Sequence, residues 1–425
     1  MTDEDTKNIA PKSPTRSIAM WLVVLNYAQA GISFVINFWL ARTLGSDAYG
    51  LFQYGVVVGG ICTVLVGFSS DRTLVRDLVQ SKDSNATLTA SLVLRVVMTL
   101  VVVGFCLVWV LLSDSLGPKR IPIVLCSVWG AMSALSSRGW LDSHYKMHIH
   151  AAITFAERVG YAICVFLLVR YAFEGNYAIV AAACLVVFRG LSLACEWGYA
   201  SRTYVPSFAS LQKNVCFLVD QNWLVLMAAL STLLMTHANQ LLLEHQQGSS
   251  QLASYAVANQ VVLMIQLFLT QVVRLLAPRT AELTRSGLTT MRLRRTLLRY
   301  IASVLAASLL IVAPIFLFGP WLIKTLLPVE YAPASDILQI LCCWPLLYGP
   351  ALVINQFLLG FRRRRAYFLI SISAGLLSIG LCYLLLPRFG GPGAAASLIL
   401  SHSVSVLMQF MVVWKTIGTE AARDG

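Results

Sequence analysis

Apolar and polar residues alternate along this chain on a scale of about twenty residues, far longer than the period of a surface helix or strand. Twelve apolar runs stand out, at 18–40, 48–70, 87–112, 121–140, 151–173, 177–199, 216–241, 252–277, 297–318, 335–360, 366–386 and 393–414. About twenty helical residues cross the ~30 Å hydrocarbon core of a bilayer. Within that core the backbone must bond to itself, and runs of this length do so as helices. The pattern predicts an all-α, polytopic membrane protein of about twelve transmembrane helices. The polar breaks are short, so no sizeable extramembrane domain is predicted.

The charges orient the bundle. Four adjacent arginines at 362–365 cannot lie in lipid, and arginine-rich short loops stay cytoplasmic. Counting crossings outward from them puts both termini in the cytoplasm, with about twenty-one Lys and Arg in cytoplasmic segments against about six in outer loops. Residues 1–17 and 415–425 then read as cytoplasmic tails of a plasma (inner) membrane protein.

The two halves echo each other. Gly45-Ser46-Asp47-Ala48-Tyr49 follows the first run, and Gly248 to Tyr255 follows the seventh. Asp71-Arg72-Thr73 and Pro278-Arg279-Thr280 then recur at an offset of about 206 residues, or six crossings. An even number of crossings preserves orientation, so the expectation is a parallel repeat: an N-lobe at 18–199, a cytoplasmic linker at 200–215 and a C-lobe at 216–414.

Composition agrees. With 58% hydrophobic and 12% charged residues, the chain falls far from soluble domains, which carry about 25% charge. The net charge of +13 follows from topology and predicts no nucleic-acid partner. All ten cysteines fall in apolar runs without CxxC spacing. No metal cluster, phosphate-cradling glycine loop, paired carboxylates or nucleophile–His–acid set occurs, and GGPG at 390–393 is loop punctuation. Neither a cofactor nor enzymatic catalysis is expected.

Polar residues keep helical faces inside the runs. Asn26, Ser33 and Asn37, with Gln29 beside them, mark the first helix. Tyr255, Asn259, Gln266, Thr270 and Arg274 mark the eighth, with Ser231, Thr232, Thr236, His237, Asn239 and Gln240 on the seventh and Tyr348 and Asn355 on the tenth. Helices 1 and 8 come from opposite halves, which favours a shared cavity between lobes. Arg95, Arg158, Arg189 and Arg274 lie within spans. An arginine does not shed its proton, and a charge in the membrane needs water or a partner. Guanidinium groups in a wet cleft suit a phosphate or diphosphate. Arg189 is the foremost candidate: Glu196, seven residues on, shares its face but lies about 10 Å along the helix, too far for direct contact. The substrate-binding candidates are Arg95, Arg158, Arg189, Arg274, Asn26, Asn37, Asn259 and Gln266. His237, Glu196 and Asp220 are candidates for ion coupling.

Several strings occur in a telling order. They are Leu40-Ala41-Arg42-Thr43-Leu44-Gly45 with Tyr49-Gly50, Thr73-Leu74-Val75-Arg76, Asn239-Gln240-Leu241-Leu242, Tyr255-Ala256-Val257-Ala258, Pro278, Tyr331 with Ala334 and Ile337-Leu338, and Leu386-Pro387 through Gly390 to Gly393-Ala394-Ala395. Together they resemble the polysaccharide transporter (O-antigen/oligosaccharide flippase) family of the multidrug/oligosaccharidyl-lipid/polysaccharide exporter superfamily. The resemblance implies two six-helix lobes in a V, with a central cavity lined chiefly by helices 1, 2, 7 and 8. It also implies a polyprenyl-diphosphate-linked oligosaccharide moved from the cytoplasmic to the outer leaflet by alternating access, with polysaccharide assembly enzymes as candidate partners. Asn239 departs from the acidic residue common at its position, which removes the carboxylate a cation site there would use. The rival readings are a cation-coupled multidrug antiporter of the same superfamily, a membrane polysaccharide polymerase, and a scaffold that binds lipid-linked precursors without moving them.

Overall fold

A computed structural model describes residues 16–68, 74–75, 78, 81, 83–171, 177–283, 290–361 and 363–420. The tail at 1–15, the Asp71-Arg72-Thr73 string, Arg76 and Arg362 lie outside these residues. In chain order the helices are α1 (Arg16–Gly67), α2 (Ser84–Leu112), α3 (Arg120–Ala134), α4 (Arg138–Ser143), α5 (Met147–Tyr171), α6 (Tyr177–Ala200), α7 (Leu211–Gln247), α8 (Ser249–Leu283), α9 (Thr290–Leu326), α10 (Pro333–Leu341), α11 (Cys343–Gly360) and α12 (Arg364–Glu420). No strand occurs among the described residues. Among the described residues ten segments are long and apolar enough to cross a membrane; α3 with α4 and α10 with α11 each form one of them.

Two of the ten have double length, 47 residues in α1 and 54 in α12. A straight helix of 47 residues would reach about 70 Å, more than twice the hydrocarbon core. Neither is straight. Gly45 adopts φ 77°, ψ 171°, a region essentially closed to residues with a Cβ, and the chain reverses there. Gln53 Nε2 donates to Asn37 Oδ1 at 3.3 Å, although sixteen residues of straight helix would hold them about 24 Å apart. In α12 the break is at Gly390, and a Cβ on Gly393 would come 2.7 Å from the Leu385 carbonyl oxygen. Ten segments correspond to the twelve apolar runs if each hairpin crosses twice.

Most helix packing stays within one half of the chain. In the first half α1 packs on α3 and α5, and α6 on α3 and α5; in the second, α7 packs along α12, and α11 against α8, α9 and α12. Small residues permit the closest crossing: a Cβ on Gly130 of α3 would meet the Gly59 carbonyl oxygen of α1 at 2.1 Å, and Thr63 Oγ1 donates to the Gly130 carbonyl at 3.1 Å. Close backbone approach at small residues drives association where lipid supplies no hydrophobic contrast. The halves meet where α1 packs on α8 and α7, and α2 on α7. Gly248, between α7 and α8, has φ 84°, ψ 176°, within a few degrees of Gly45, so the two echoing strings begin on the same backbone turn.

Candidate functional site

The polar face of α1 is built partly from its own hairpin. Asn37 Nδ2 donates to the Ser33 carbonyl at 2.7 Å, while its Oδ1 takes the Gln53 amide from the returning arm. Gln29 Nε2 reaches α5, donating to Thr154 Oγ1 and the Ala151 carbonyl, both at 2.9 Å. Asn26 is exposed and Asn37 half-buried. On α8, Asn259 is half-buried, Gln266 is buried with its Nε2 unpartnered, and Thr270 Oγ1 lies 3.3 Å from the Tyr348 hydroxyl. The side chain of Arg274 lies outside the described residues.

The structure corrects the expected environment of Arg189. Its Nη1 lies 3.0 Å from Glu157 Oε2 of α5 and 3.5 Å from Glu196 Oε1. The 10 Å separating Arg189 and Glu196 along α6 is closed by two long side chains leaning toward each other. Glu196 is fully buried and also takes Ser136 Oγ at 2.5 Å, the Ser137 amide at 3.1 Å and His150 Nδ1 at 3.4 Å. Two carboxylates balance this guanidinium, and the cluster ties α5 and α6 to the end of α3. Arg95, 2% exposed, donates through Nη1 to the Ala134 carbonyl at 2.6 Å, at the C-terminus of α3 where the helix dipole favours a cation.

Arg158 differs from both. It is half-buried on α5, on the face Thr154, Arg158, Tyr161 and Val165 spaced four, three and four. That face packs against α1: Thr154 bonds Gln29, and Tyr161 and Val165 join the core that holds Ile36 and Phe38. Among the described residues no carboxylate lies within ion-pair distance of Arg158. It sits about 16 Å along α5 from Met147, one turn beyond the Gln29 contact at Thr154.

The ion-coupling candidates separate. Glu196 belongs to the Arg189 cluster, and Asp220 is exposed on α7. His237 is half-buried, and its Nε2 lies 3.9 Å from where a Cβ on Gly60 of α1 would stand. Asn239 Nδ2 donates to Ser378 Oγ at 3.0 Å, Ser397 Oγ at 3.1 Å and the Ala394 carbonyl at 3.5 Å, and its Oδ1 lies 3.3 Å from the Ser378 hydroxyl as an acceptor; it cross-links α7 to both arms of α12.

Sequence reasoning missed a seal at the Gly45 end of the bundle. Lys119, from the turn before α3, pairs with Glu244 of α7, which is buried. The Ser46 amide donates to Glu330 Oε2 at 3.1 Å, and the Tyr331 hydroxyl to the Ala41 carbonyl at 2.8 Å. At Gly50 the backbones nearly touch, for a Cβ there would lie 2.0 Å from the Ser249 carbonyl oxygen. These partners stand 125 to 290 residues apart, and no local pattern in the sequence joins them.

A sequence profile of polysaccharide biosynthesis proteins matches residues 18–284, more than half the chain. No curated protein matches significantly. In fold the chain is similar to a multidrug resistance MATE family transporter of the MOP superfamily in its inward-facing conformation (TM-score 0.69, 14% identity, covering 92% of this chain and 95% of that one). It is similar also to the lipid II flippase MurJ in an inward closed conformation (TM-score 0.70, 11% identity, 95% and 91%). Against an outward-facing MATE family transporter the TM-score is 0.53 at 15% identity, covering 95% and 96%.

Proposed function

Because this chain belongs to the polysaccharide biosynthesis protein family and has a MOP-superfamily transporter fold, we propose that it is a flippase for a polyprenyl-diphosphate-linked oligosaccharide. It carries the repeat unit from the cytoplasmic to the outer leaflet of the plasma membrane by alternating access of two six-helix lobes. Both termini are cytoplasmic, and the Gly45 end is the outer end, sealed in this structure. Arg158 is the observation that carries the reading. A guanidinium that cannot deprotonate, deep in a span and without a carboxylate within ion-pair distance among the described residues, demands water or an anionic ligand. A diphosphate meets that demand in bidentate fashion. Asn37, Gln53, Asn259 and Gln266 offer amides to the glycan, and the prenyl tail stays in the bilayer. A membrane potential of 100 mV, interior negative, favours outward movement of each negative charge by about 2.3 kcal/mol.

Hydrogen bonds to a charged group contribute about 1.5–3 kcal/mol, so Arg158→Ala should weaken headgroup binding about 10- to 150-fold. Arg158→Lys should recover part of this. In cells, deletion of the protein or Arg158→Ala should accumulate complete, lipid-linked repeat units facing the cytoplasm. Units already outside would indicate a polymerase instead. An antiporter of organic cations needs a free buried carboxylate, whereas Glu157 and Glu196 hold Arg189 and Glu244 holds Lys119. Loss of transport in Glu196→Gln with little effect of Arg158→Ala would favour that reading.

A further inference from the structure

One set of buried groups has no part in holding the lipid-linked substrate. His402 stands on the second arm of α12, twelve residues and so about 18 Å past Gly390. It is 8% exposed, and neither ring nitrogen has a hydrogen-bond partner. Buried polar groups ordinarily have one. Trp344 of α11, 5% exposed, presents its ring with centroids 6.4 Å apart and planes at 80°, and its Nε1–H is also unpartnered. Farther from the Gly45 end, the same two helices carry two more unmatched atoms, Gln409 Oε1 on α12 and Asn355 Oδ1 on α11. Between these levels stands Tyr348, tied to Thr270 of α8. His402, Ser405 and Gln409 are all buried at spacings of three and four, one face of α12. The unmatched donors and acceptors thus form a column between α11 and α12, running from mid-bundle toward the termini. Water is the partner that such separated buried groups share.

We propose that His402 is a proton-binding site and that this column is its path to the cytoplasm, so that inward proton movement drives outward movement of the substrate. The lone pair on the unprotonated ring nitrogen accepts a proton from water when the outer end is open. The new N–H makes an imidazolium with charge +1 and two donors. When the halves return to the shape seen here, that N–H bond breaks and the proton passes to water along Gln409 and Asn355. The groups around the ring favour a proton over a metal ion, because among the described residues no carboxylate lies within ion-pair distance of it. From α11 come Trp344 against the ring and, one turn on, Tyr348, which meets Thr270 of α8. On α7, Asn239 is bonded to Ser378 and Ser397 of α12, while His237 faces Gly60 of α1. Asp336 of α10 lines a recess with Ile399 on the Gly45 side of the ring, and Arg294 of α9 stacks on Trp414, 4.4 Å from its ring centroid. With no fixed anion beside it, the imidazolium is stable only when the column is hydrated, so protonation favours the shape that admits water.

The site can be read without substrate, because an imidazolium quenches a neighbouring indole. In the full-length protein in lipid nanodiscs, tryptophan emission is followed from roughly pH 8 to pH 4, spanning the range in which an imidazole titrates. Trp344 is one of ten tryptophans, so a step of up to about a tenth of the emission is expected. It should vanish in His402→Gln, in His402→Asn and in Trp344→Phe. In liposomes, an imposed pH gradient should speed movement of a fluorescent lipid-linked glycan for the parent and Trp344→Phe, and leave no difference between gradient and no gradient in His402→Gln. A step of parental size in both His402 variants, or an intact gradient response in His402→Gln, overturns the proposal. This coupling rests on the flippase reading, but the two fail separately. If the parent moves no glycan, flipping is wrong, and the fluorescence titration still decides whether His402 binds the proton.

Discussion

Gly50→Ala should pry open the seal at the Gly45 end. The added Cβ would stand 2.0 Å from the Ser249 carbonyl oxygen, 2.5 Å from its carbon and 2.9 Å from its Cβ. Ordinary contact begins near 3.4 Å, so α1 and the start of α8 must part by more than an ångström. Backbone atoms cannot swing aside as a flexible side chain does. The same shift would pull Lys119 from Glu244 and Ser46 from Glu330. Overpacking of this kind costs about 1–3 kcal/mol, and every 1.4 kcal/mol is a factor of ten. The sealed shape should therefore lose about 5- to 150-fold in population relative to any open one. Spin labels at Asp47 and Gln247, both exposed, report the gap between the halves in nanodiscs. Gly50→Ala should add a longer-distance population. Gly104→Ala, where a Cβ meets nothing within 4 Å, should add none. An unchanged distance distribution in a folded Gly50→Ala protein would refute the idea that this backbone contact holds the seal.

Arg189→Met leaves Glu157 and Glu196 buried without their cation and should destabilise the protein by about 3–5 kcal/mol; adding Glu157→Gln should restore part of the loss in thermal denaturation. A second change equally damaging in both backgrounds would mean that the pair is not coupled. Asn239→Asp keeps the oxygen that accepts from Ser378 but sets a second acceptor against the Ala394 carbonyl where the amide donated, at a cost of about 1–3 kcal/mol. The thermal midpoint of that variant, but not of the parent, should rise when a small cation replaces a bulky one.

The all-α membrane fold, with its ten long apolar segments, was legible because hydropathy is a local property: a run is apolar whatever its neighbours do. The hairpin at Gly45 was legible for a related reason, since a polar Gly-Ser-Asp string between two such runs has to turn. Side-chain partnerships were not. Rise per residue set Arg189 and Glu196 10 Å apart, a correct distance between backbones that ignores how far an arginine and a glutamate reach along a shared face. Glu157 lies next to Arg158 in the chain, yet a step of 100° around the helix points it at α6, where Arg189 meets it. Lys119 and Glu244 sit in different halves, and no periodicity joins them. His402 stood in plain view, for His402, Ser405 and Gln409 repeat at three and four. In a span whose other polar residues are serines, that period alone reads as ordinary helix packing.

The seal between the halves is polar where an apolar contact would hold it more firmly, and the difference bears on how the protein works. An apolar seal loses about 25 cal/mol for each Å² exposed to water on opening, with nothing in return. An ion pair behaves otherwise. Lys119 and the buried Glu244 give up hydration to meet, a penalty that rivals their attraction, and on opening both recover water at the Gly45 end, where exposed pairs contribute at most about 1 kcal/mol. Lys119–Glu244 therefore fixes the register of the closed halves while adding little to the barrier between closed and open. The Arg189 cluster lies inside one half, where opening brings it no water, and is held by two carboxylates. On this view the double change Lys119→Met with Glu244→Leu, which replaces the pair with side chains that gain nothing from water, should slow substrate movement even as it leaves the Gly45 end closed. Faster movement in that variant would show that the ion pair acts as a lock.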